Sequence, residues 1–393
     1  MSQTIAASLA RIQRAAFAVG AVGSVLSVLG LVLDRERFFQ AYLIGFLFVL
    51  GPALGSLAIV MLHNMTGGAW GFAVRRLLEA AMRTLPAVGI AFVPIALGVH
   101  QLYEWSHAEV VASDPILQHK AAYLNVPFFL ARALVYFALW AGLALFMVRL
   151  SERYDRKLSL KALRRLKSAS GFGLAAYVLS MSFASFDWGM SLEPHWFSTI
   201  YGVHFIVGQA LSTLCLAIVM AAFLARHEPF SRWLAPHHFH DLGNLTLAFV
   251  MLWAYASLSQ FLIIWSGNLP EEIPWYLKRT GPTWQGLALV LVLFHFAAPF
   301  VILLVRRSKE NARILARLAA GLLVMRFLDV YWQLAPAFDA GAFAPHWLDL
   351  VVPLTLAALW AGLFLRNLHG RPLVSLQDAK LLGSLEAPAT SPS

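Results

Sequence analysis

The stretch LIGFLFVLGPALGSLAIVML, residues 43–62, runs for twenty positions without a charged side chain. An α-helix of that length is about 30 Å long, which is the thickness of the hydrocarbon core of a bilayer. Comparable apolar runs recur along almost the whole chain, of which 60% is hydrophobic and only 13% charged. The sequence lacks the segments of about ten residues with alternating polarity that are typical of transmembrane β-barrels. It therefore predicts an all-α membrane protein.

Ten transmembrane helices account for these apolar runs. We predict them at 12–33, 38–62, 83–105, 122–150, 169–190, 197–225, 243–266, 284–305, 314–335 and 347–366. They form one membrane domain over residues 1–370. Residues 371–393 lose the apolar periodicity and end in small and polar residues, which predicts a mobile cytoplasmic tail.

A further helix is predicted between the second and third spans. Apolar and charged side chains are separated there into two faces, which favours an amphipathic helix lying in the membrane interface. The apolar set is Trp70, Phe72, Leu77 and Leu78, and the charged set is Arg75, Arg76, Glu79 and Arg83.

Basic residues are distributed unevenly between the two sets of alternating loops. Of the 30 Lys and Arg residues, 23 fall on one side and 5 on the other, while Arg132 and Arg326 lie within spans. Because cytoplasmic loops of membrane proteins carry the excess of Lys and Arg, both termini are predicted in the cytoplasm. This topology also explains the net charge of +10, which therefore does not indicate nucleic-acid binding.

Cysteine content limits the redox groups that the chain can hold by itself. Its one cysteine, Cys215, lies inside an apolar run. One cysteine excludes a disulfide framework, an iron–sulfur cluster held by this chain alone and a cysteine-based zinc site. A b-type haem would need two histidines that face each other, and the sequence establishes no such pair. We therefore predict no metal site.

Ionisable side chains inside the spans cost at least about 2.5–3.5 kcal/mol each on insertion scales, so each is a candidate functional residue. Arg132 lies well inside the fourth helix, followed by Tyr136 and Trp140 on the same face. Arg326 and Asp329 lie at i and i+3 in the ninth helix, where they can neutralise each other. Arg132 either has a function or binds backbone carbonyls. Arg326 and Asp329 form either a structural pair or part of a proton relay.

Histidines and a further carboxylate extend the possible relay. His295 lies near the middle of the eighth helix, His100 begins a stripe at the outer end of the third, and Asp241 lies in a histidine-rich loop. Such groups carry protons when their pKa is near ambient pH. The alternatives are a hydrogen-bonded packing histidine and solvated loops. The candidate proton path comprises His100, Asp241, His295, Arg326 and Asp329.

The segment SFASFDWGMSLEPHWFSTIYGVHF, residues 182–205, joins the fifth and sixth helices. It places a carboxylate at the outer end of the fifth helix, beside several aromatic side chains. Such a group at membrane depth can hydrogen-bond and stack a flat amphipathic ring. The alternative is an interfacial aromatic belt with a helix cap. The candidate binding residues are Arg132, Asp187, His195, Trp196, Tyr201 and His204.

Three runs carry a resemblance to a known family: Asp187 to Gly202, YLNVPFFLAR at 123–132 and WAYASLSQFLIIWSGNLPEEIPWYLKR at 253–279. They resemble the smaller NrfD-like membrane subunit of alternative complex III, which belongs with the polysulfide-reductase-type membrane anchors. The resemblance spans about residues 10–366. It implies two four-helix bundles plus two extra helices in a bacterial inner membrane.

The resemblance implies a subunit of a respiratory quinol:electron-acceptor oxidoreductase. Asp187 would correspond to the carboxylate of the quinol site, and hence to the catalytic residue, and Arg132 to the family's intramembrane arginine. The chain itself would hold no redox cofactor, and quinol or quinone would be its ligand. Iron–sulfur clusters and c-type haems would lie in partners: a larger homologous NrfD-like subunit, an iron–sulfur protein and c-type cytochromes. The larger subunit is usually credited with the quinol site.

Other functions remain open at this point. The chain could be a purely structural anchor for peripheral electron-transfer subunits, or the anchor of a polysulfide-reductase-like molybdoenzyme. A secondary transporter would require matched discontinuous helices around a midplane site. Pro52, Pro94 and Pro299 interrupt helices, but they form no matched pair.

Overall fold

The structure, a computed structural model, describes residues 3–156, 160–228, 230–339 and 345–369. This part of the chain is built from helices and contains no strand. Nine of its helices are long and apolar enough to cross a membrane. The predicted all-α membrane fold is therefore confirmed. The predicted tail at 371–393 lies outside the described residues.

Ten spans follow one another in the described part of the chain, and we number them in chain order. They are Gln3–Leu33, Arg35–Thr66, the region of residues 85–102, Val126–Arg156, Leu160–Trp188, Tyr201–Leu224, Pro236–Gly267, Pro282–Leu304, Ala312–Leu334 and Leu348–Leu368. The apolar stretch of the third span begins earlier, at Ala73, and ends at Leu97. Span 9 is not among the nine most clearly apolar helices, because its four charged residues lower its hydropathy.

The third span is broken, whereas the sequence predicted one continuous helix at 83–105. It consists of three short helices, Leu85–Ile90, Val93–Leu97 and Val99–Leu102. Pro86 and Pro94 lie in the first turns of the first two pieces, where a missing N–H group leaves no hydrogen bond unmade. Because proline cannot donate inside a helix, the chain starts a new helix at each of these prolines.

The predicted amphipathic helix is present as Ala69–Met82, but its charged face does not point to water. Arg75 and Glu79 are only 5% and 2% exposed. Arg75 Nε donates to Glu79 at 3.1 Å, and the same guanidinium binds Ser151 and Asp155 at the end of span 4. These charges therefore pair with span 4 and hold the helix against the bundle, while its position in the membrane interface stays a prediction.

Packing between the spans divides them into two groups of four. Span 2 packs on spans 3 and 5, and span 4 packs on spans 3 and 5. In the second group, spans 6 and 8 each pack on spans 7 and 9. Spans 1 and 10 pack on each other and on span 2, while the two groups meet where span 2 lies against span 6. This is the predicted arrangement of two bundles plus two further helices.

The loops lie at two ends of the molecule. We call the end with most of the Lys and Arg residues the basic end and the opposite one the far end. At the far end, Arg37 lies 2.5 Å from Asp339 and 2.5 Å from Asp349. At the basic end, Arg83 lies 3.0 Å from Glu152. These ion pairs join loops that a ten-span topology places on the same side, which supports the predicted alternation.

Candidate functional site

The first candidate site joins spans 4 and 5 close to the far end. Arg132 Nε and Nη2 donate to the two carboxylate oxygens of Asp187 at 2.9 and 2.8 Å. The hydroxyl of Tyr136 donates to Asp187 Oδ2 at 2.8 Å. Asp187 is completely buried. We call these three residues the Asp187 cluster, which pairs two candidates that the sequence treated separately.

The guanidinium of Arg132 has partners besides the carboxylate. Its Nη1 donates to the carbonyl oxygen of Tyr123 at 2.8 Å, and its Cζ lies 3.8 Å from the centre of the Tyr123 ring. A bidentate charge-assisted pair with a cation–π contact is strong and geometrically specific. The Asp187 carboxylate, which already accepts three hydrogen bonds, is thus a satisfied ion-pair partner rather than a free acceptor for a quinol hydroxyl.

The other residues predicted to bind quinol lie in the following loop and at the start of span 6. Trp196 stacks on Trp275 with ring centres 4.9 Å apart, and Tyr201 meets Trp196 edge-on at 5.6 Å. His195 Nε2 lies 2.6 Å from Asp114 Oδ2, and its side chain is half exposed. Desolvation alone raises the pKa of Asp114, but this hydrogen bond and two backbone N–H groups lower it below its usual value. These residues form a far-end layer beside the Asp187 cluster.

The second candidate site lies between spans 6 and 9. Arg326 Nη1 pairs with Asp329, as the i, i+3 spacing predicted. Gln333 Nε2 donates to Asp329 Oδ2 at 2.9 Å, and His204 Nε2 lies 3.4 Å from the same oxygen. All four side chains are buried, and we call them the Asp329 cluster. His204, which the sequence grouped with the quinol-binding residues, therefore lies with the proton-path candidates instead.

Span 6 makes room for this cluster at Gly208. A Cβ atom at this position would overlap the guanidinium of Arg326. A narrow cleft with a cavity volume of about 10 Å³ lies between spans 2, 6 and 9 next to the same guanidinium. Gln209 and Ser212 supply the other polar groups of its lining. The buried arginine thus has room for about one water molecule beside it.

His295 extends the Asp329 cluster to span 8. Its side chain is fully buried, and its ring centre lies 4.1 Å from that of Trp253 on span 7. Neither ring nitrogen has a hydrogen-bond partner among the described residues. His295 lies in a π-helical turn, Leu291–Ala297. Because Pro299 has no N–H to donate to the carbonyl of His295, a regular α-helical turn is disfavoured here.

The remaining two members of the predicted proton path lie elsewhere. His100 is exposed at the far end, where its Nδ1 lies 3.1 Å from the hydroxyl of Ser106. Asp241 lies at the start of span 7 at the basic end, 3.6 Å from His240, with 43% of its side chain exposed. The structure therefore brings together three of the five predicted residues, namely His295, Arg326 and Asp329, and leaves two at opposite surfaces.

Arg279 is a buried charge that sequence reasoning counted only as a loop residue. Its Nη1 donates to the carbonyl of Trp275 at 2.5 Å and its Nη2 to the carbonyl of Gln333 at 2.6 Å. Nη2 also lies 3.6 Å from Glu193 Oε2. The only sequence signal was a basic residue close to Trp275 and two glutamates in a loop with few other cations. Arg279 connects the far-end loops to Gln333, and through it to Asp329.

Metal-binding geometry and known relatives add no further site. Within the described ranges, no group of three or more His, Cys, Asp or Glu side chains is arranged to hold a metal ion. No protein-family model matches the chain, and no curated protein matches it.

Proposed function

We propose that the chain is an integral subunit of a bacterial respiratory quinol:electron-acceptor oxidoreductase of the alternative complex III type. In this proposal it lies in the inner membrane with both termini in the cytoplasm and conducts protons through its second bundle. Electrons pass through the iron–sulfur protein and the c-type cytochromes of the complex. The larger NrfD-like subunit binds beside it and handles the quinol chemistry.

The Asp329 cluster is the observation that carries this proposal. A structural ion pair needs only Arg326 and Asp329, which satisfy each other on one helix. Here two buried histidines, His204 and His295, lie around that pair on two other spans. Burying further ionisable groups in a membrane is costly, and carboxylates with histidines are the side chains that hold and transfer protons. Their assembly in one place favours proton conduction over anchoring alone.

A chain of contacts from this cluster to the far end is part of the proposal; it positions the cluster and transfers no proton, because Gln333 is an amide and the Arg279 guanidinium stays protonated. Gln333 binds Asp329 with its side chain and Arg279 with its carbonyl oxygen. Arg279 in turn faces Glu193 in the far-end loop. Glu193 also lies 2.8 Å from Lys278 Nζ, so it ends this chain of contacts as an ion-pair partner at the far end. His240 and Asp241 are the titratable groups that the proposal places at the basic end.

Quinol binding at Asp187 fits the structure less well. Both oxygens of that carboxylate are held by Arg132, and Tyr136 adds a third hydrogen bond. A quinol hydroxyl would have to displace one of these donors. In our proposal the Asp187 cluster fixes spans 4 and 5 to each other, and we assign no proton-transfer step to it. This full pairing is also what a purely structural anchor would show, so anchoring is the second candidate function.

Proton release by the assembled complex in liposomes tests the proposal. We expect Asp329→Asn to assemble less well but to lower the number of protons released per electron in the complex that does form. Replacing Arg326 by Met and Asp329 by Leu together removes the charge imbalance, so this variant should assemble yet still release fewer protons. Glu271→Gln, at an exposed far-end position, is the matched control and should behave as the parent. Unchanged proton release in the double variant would favour the anchor.

A further inference from the structure

Five side-chain nitrogen atoms around the Asp329 cluster have no hydrogen-bond partner among the described residues. They are Nδ1 and Nε2 of His295, Nε1 of Trp253, Nε of Arg326 and Nε2 of His204. The four side chains are 0%, 5%, 3% and 7% exposed. They come from spans 8, 7, 9 and 6, so no irregularity of a single helix explains them.

These atoms belong to one region of the second bundle. The rings of Trp253 and His295 lie 4.1 Å apart, and His204 is 6.0 Å from Trp253 by ring centres. His204 Nε2 is 3.4 Å from Asp329 without the alignment of a hydrogen bond. Val207, Leu291 and neighbouring apolar side chains pack around Trp253 and shield the region from lipid. The unpartnered atoms therefore belong to side chains that lie close together in the interior of the second bundle.

Protein interiors rarely leave polar groups in this condition. Most buried donors and acceptors are paired with protein or with ordered water, because an unpaired one costs free energy comparable to a lost hydrogen bond. Several such groups in one place therefore indicate an occupant that hydrogen-bonds to them.

The chemistry of the atoms restricts that occupant. A neutral imidazole presents one N–H donor and one acceptor nitrogen, whereas the indole of Trp253 and Nε of Arg326 only donate. The occupant must consequently both accept and donate hydrogen bonds. A quinone carbonyl only accepts, and a cation would face the Arg326 guanidinium. Water and a quinol hydroxyl both donate and accept, and of the two water needs the less space, so we take water as the occupant.

We infer that ordered water hydrogen-bonds to the unpartnered nitrogens of Trp253, His295, His204 and Arg326 and connects His295 to the Asp329 carboxylate. The cleft between spans 2, 6 and 9 supports this inference at Arg326 alone, because it reaches that guanidinium but none of the other three side chains. This water site does not rest on the proposed function, since an anchor protein would need it equally.

Hydroxyl-radical footprinting of the full chain in lipid nanodiscs tests the inference directly, because radicals formed from bound water label the side chains next to it. We expect Trp253 and His295 to be labelled several-fold more than Trp140. Trp140 is the control: it is 0% exposed, against 5% for Trp253, and its indole N–H is paired with Ser180 at 2.9 Å. Labelling of Trp253 at the level of Trp140 would overturn the inference.

The unfolding temperature of the His295→Leu variant is a second test, because a hydrated site and a dry site predict changes of opposite sign. If His295 is hydrated, the change removes hydrogen bonds to water and the unfolding temperature falls by several degrees. If the pocket is dry, the change removes two unpaired nitrogens and the unfolding temperature rises. A rise would therefore also overturn the inference. An experimental structure at a resolution that shows ordered solvent would also overturn the inference if it showed a quinone head group at this site instead of water.

Discussion

Asp187 and Asp329 are both buried carboxylates beside an arginine, but the two pairs are surrounded differently. Asp187 is held in a bidentate pair across two spans, with Tyr136 as a third donor. Asp329 pairs within its own helix and has His204 nearby at a longer distance. A pair that is fully hydrogen-bonded stabilises one geometry, whereas a pair beside titratable groups can change its protonation. Asp187 is thus the structural carboxylate of the two, and Asp329 is the candidate functional one.

Asp187→Asn is expected to destabilise the protein strongly. The change leaves the guanidinium of Arg132 buried without a countercharge, and breaking a buried pair in this way costs roughly 3–5 kcal/mol. Replacing Arg132 by Met together with Asp187 by Leu should cost much less, since the double change removes both charges. Thermal unfolding of the purified variants measures the difference.

Tyr136→Phe is the control for this comparison. It removes one hydrogen bond to Asp187 and keeps the ring, so the expected loss is about 1 kcal/mol. If Asp187→Asn proved no more damaging than Tyr136→Phe, the structural role assigned to the Asp187 cluster would be wrong.

At the scale of helices, the position of Arg326 depends on how closely span 6 approaches span 9. Gly208 supplies that closeness, because a side chain there would occupy the volume of the guanidinium. On span 8 the π-helical turn Leu291–Ala297 places His295 against Trp253. Both features are departures from a regular apolar helix, and both lie at the Asp329 cluster. Spans 6 and 8 therefore each have a local irregularity where they contact the Asp329 cluster.

Gly208→Ala is expected to weaken the packing of span 6 on span 9. The added methyl group forces Arg326 to move, and overpacking of this kind costs roughly 1–3 kcal/mol. Gly142→Ala is a matched control in the interior of span 4, where a Cβ meets nothing within 4 Å. That change should be neutral or stabilising by up to about 1 kcal/mol, because alanine favours helix more than glycine does. Equal unfolding temperatures for the two variants would contradict the close approach of spans 6 and 9.

At the scale of the whole molecule, ten crossings divide the loops between a basic and a far end. Arg37 joins the start of span 2 to the loop before span 10 and to that span's first turn, so the outer helices are fixed to the first bundle. Span 2, buried along almost its whole length, belongs to the first bundle and contacts both outer helices and span 6 of the second bundle. The fold is thus held together from its centre, with the two charged clusters in different bundles.

Cysteine labelling tests this topology. Lys161→Cys at the basic end and Asn268→Cys at the far end are both exposed positions, whereas the native Cys215 is fully buried and should not react. In intact cells a membrane-impermeant maleimide should label position 268 and not position 161. The excess of basic residues at the end of Lys161 is the reason for expecting that end in the cytoplasm. Labelling of both positions from one side would refute the ten-span arrangement.

The sequence alone was sufficient for whatever depends on local spacing and composition. Runs of about 20 apolar residues set the number of spans. The i, i+3 spacing of Arg326 and Asp329 was enough to predict their ion pair, because one helical turn brings those positions together. Prolines caused the largest local error, since the third span was predicted as one helix and is three.

Only the tertiary structure decided which distant residues meet. Arg132 and Asp187 are 55 residues apart, and His204 reaches Asp329 from another bundle helix. The buried Arg279 donates hydrogen bonds to two backbone carbonyls of span 9. No local sequence pattern indicates these contacts. In a membrane the spans are all apolar, so periodicity tells which segments cross but not which helix faces which. Those contacts follow from close packing at glycines and from the pairing of buried charges, and both depend on the assembled bundle.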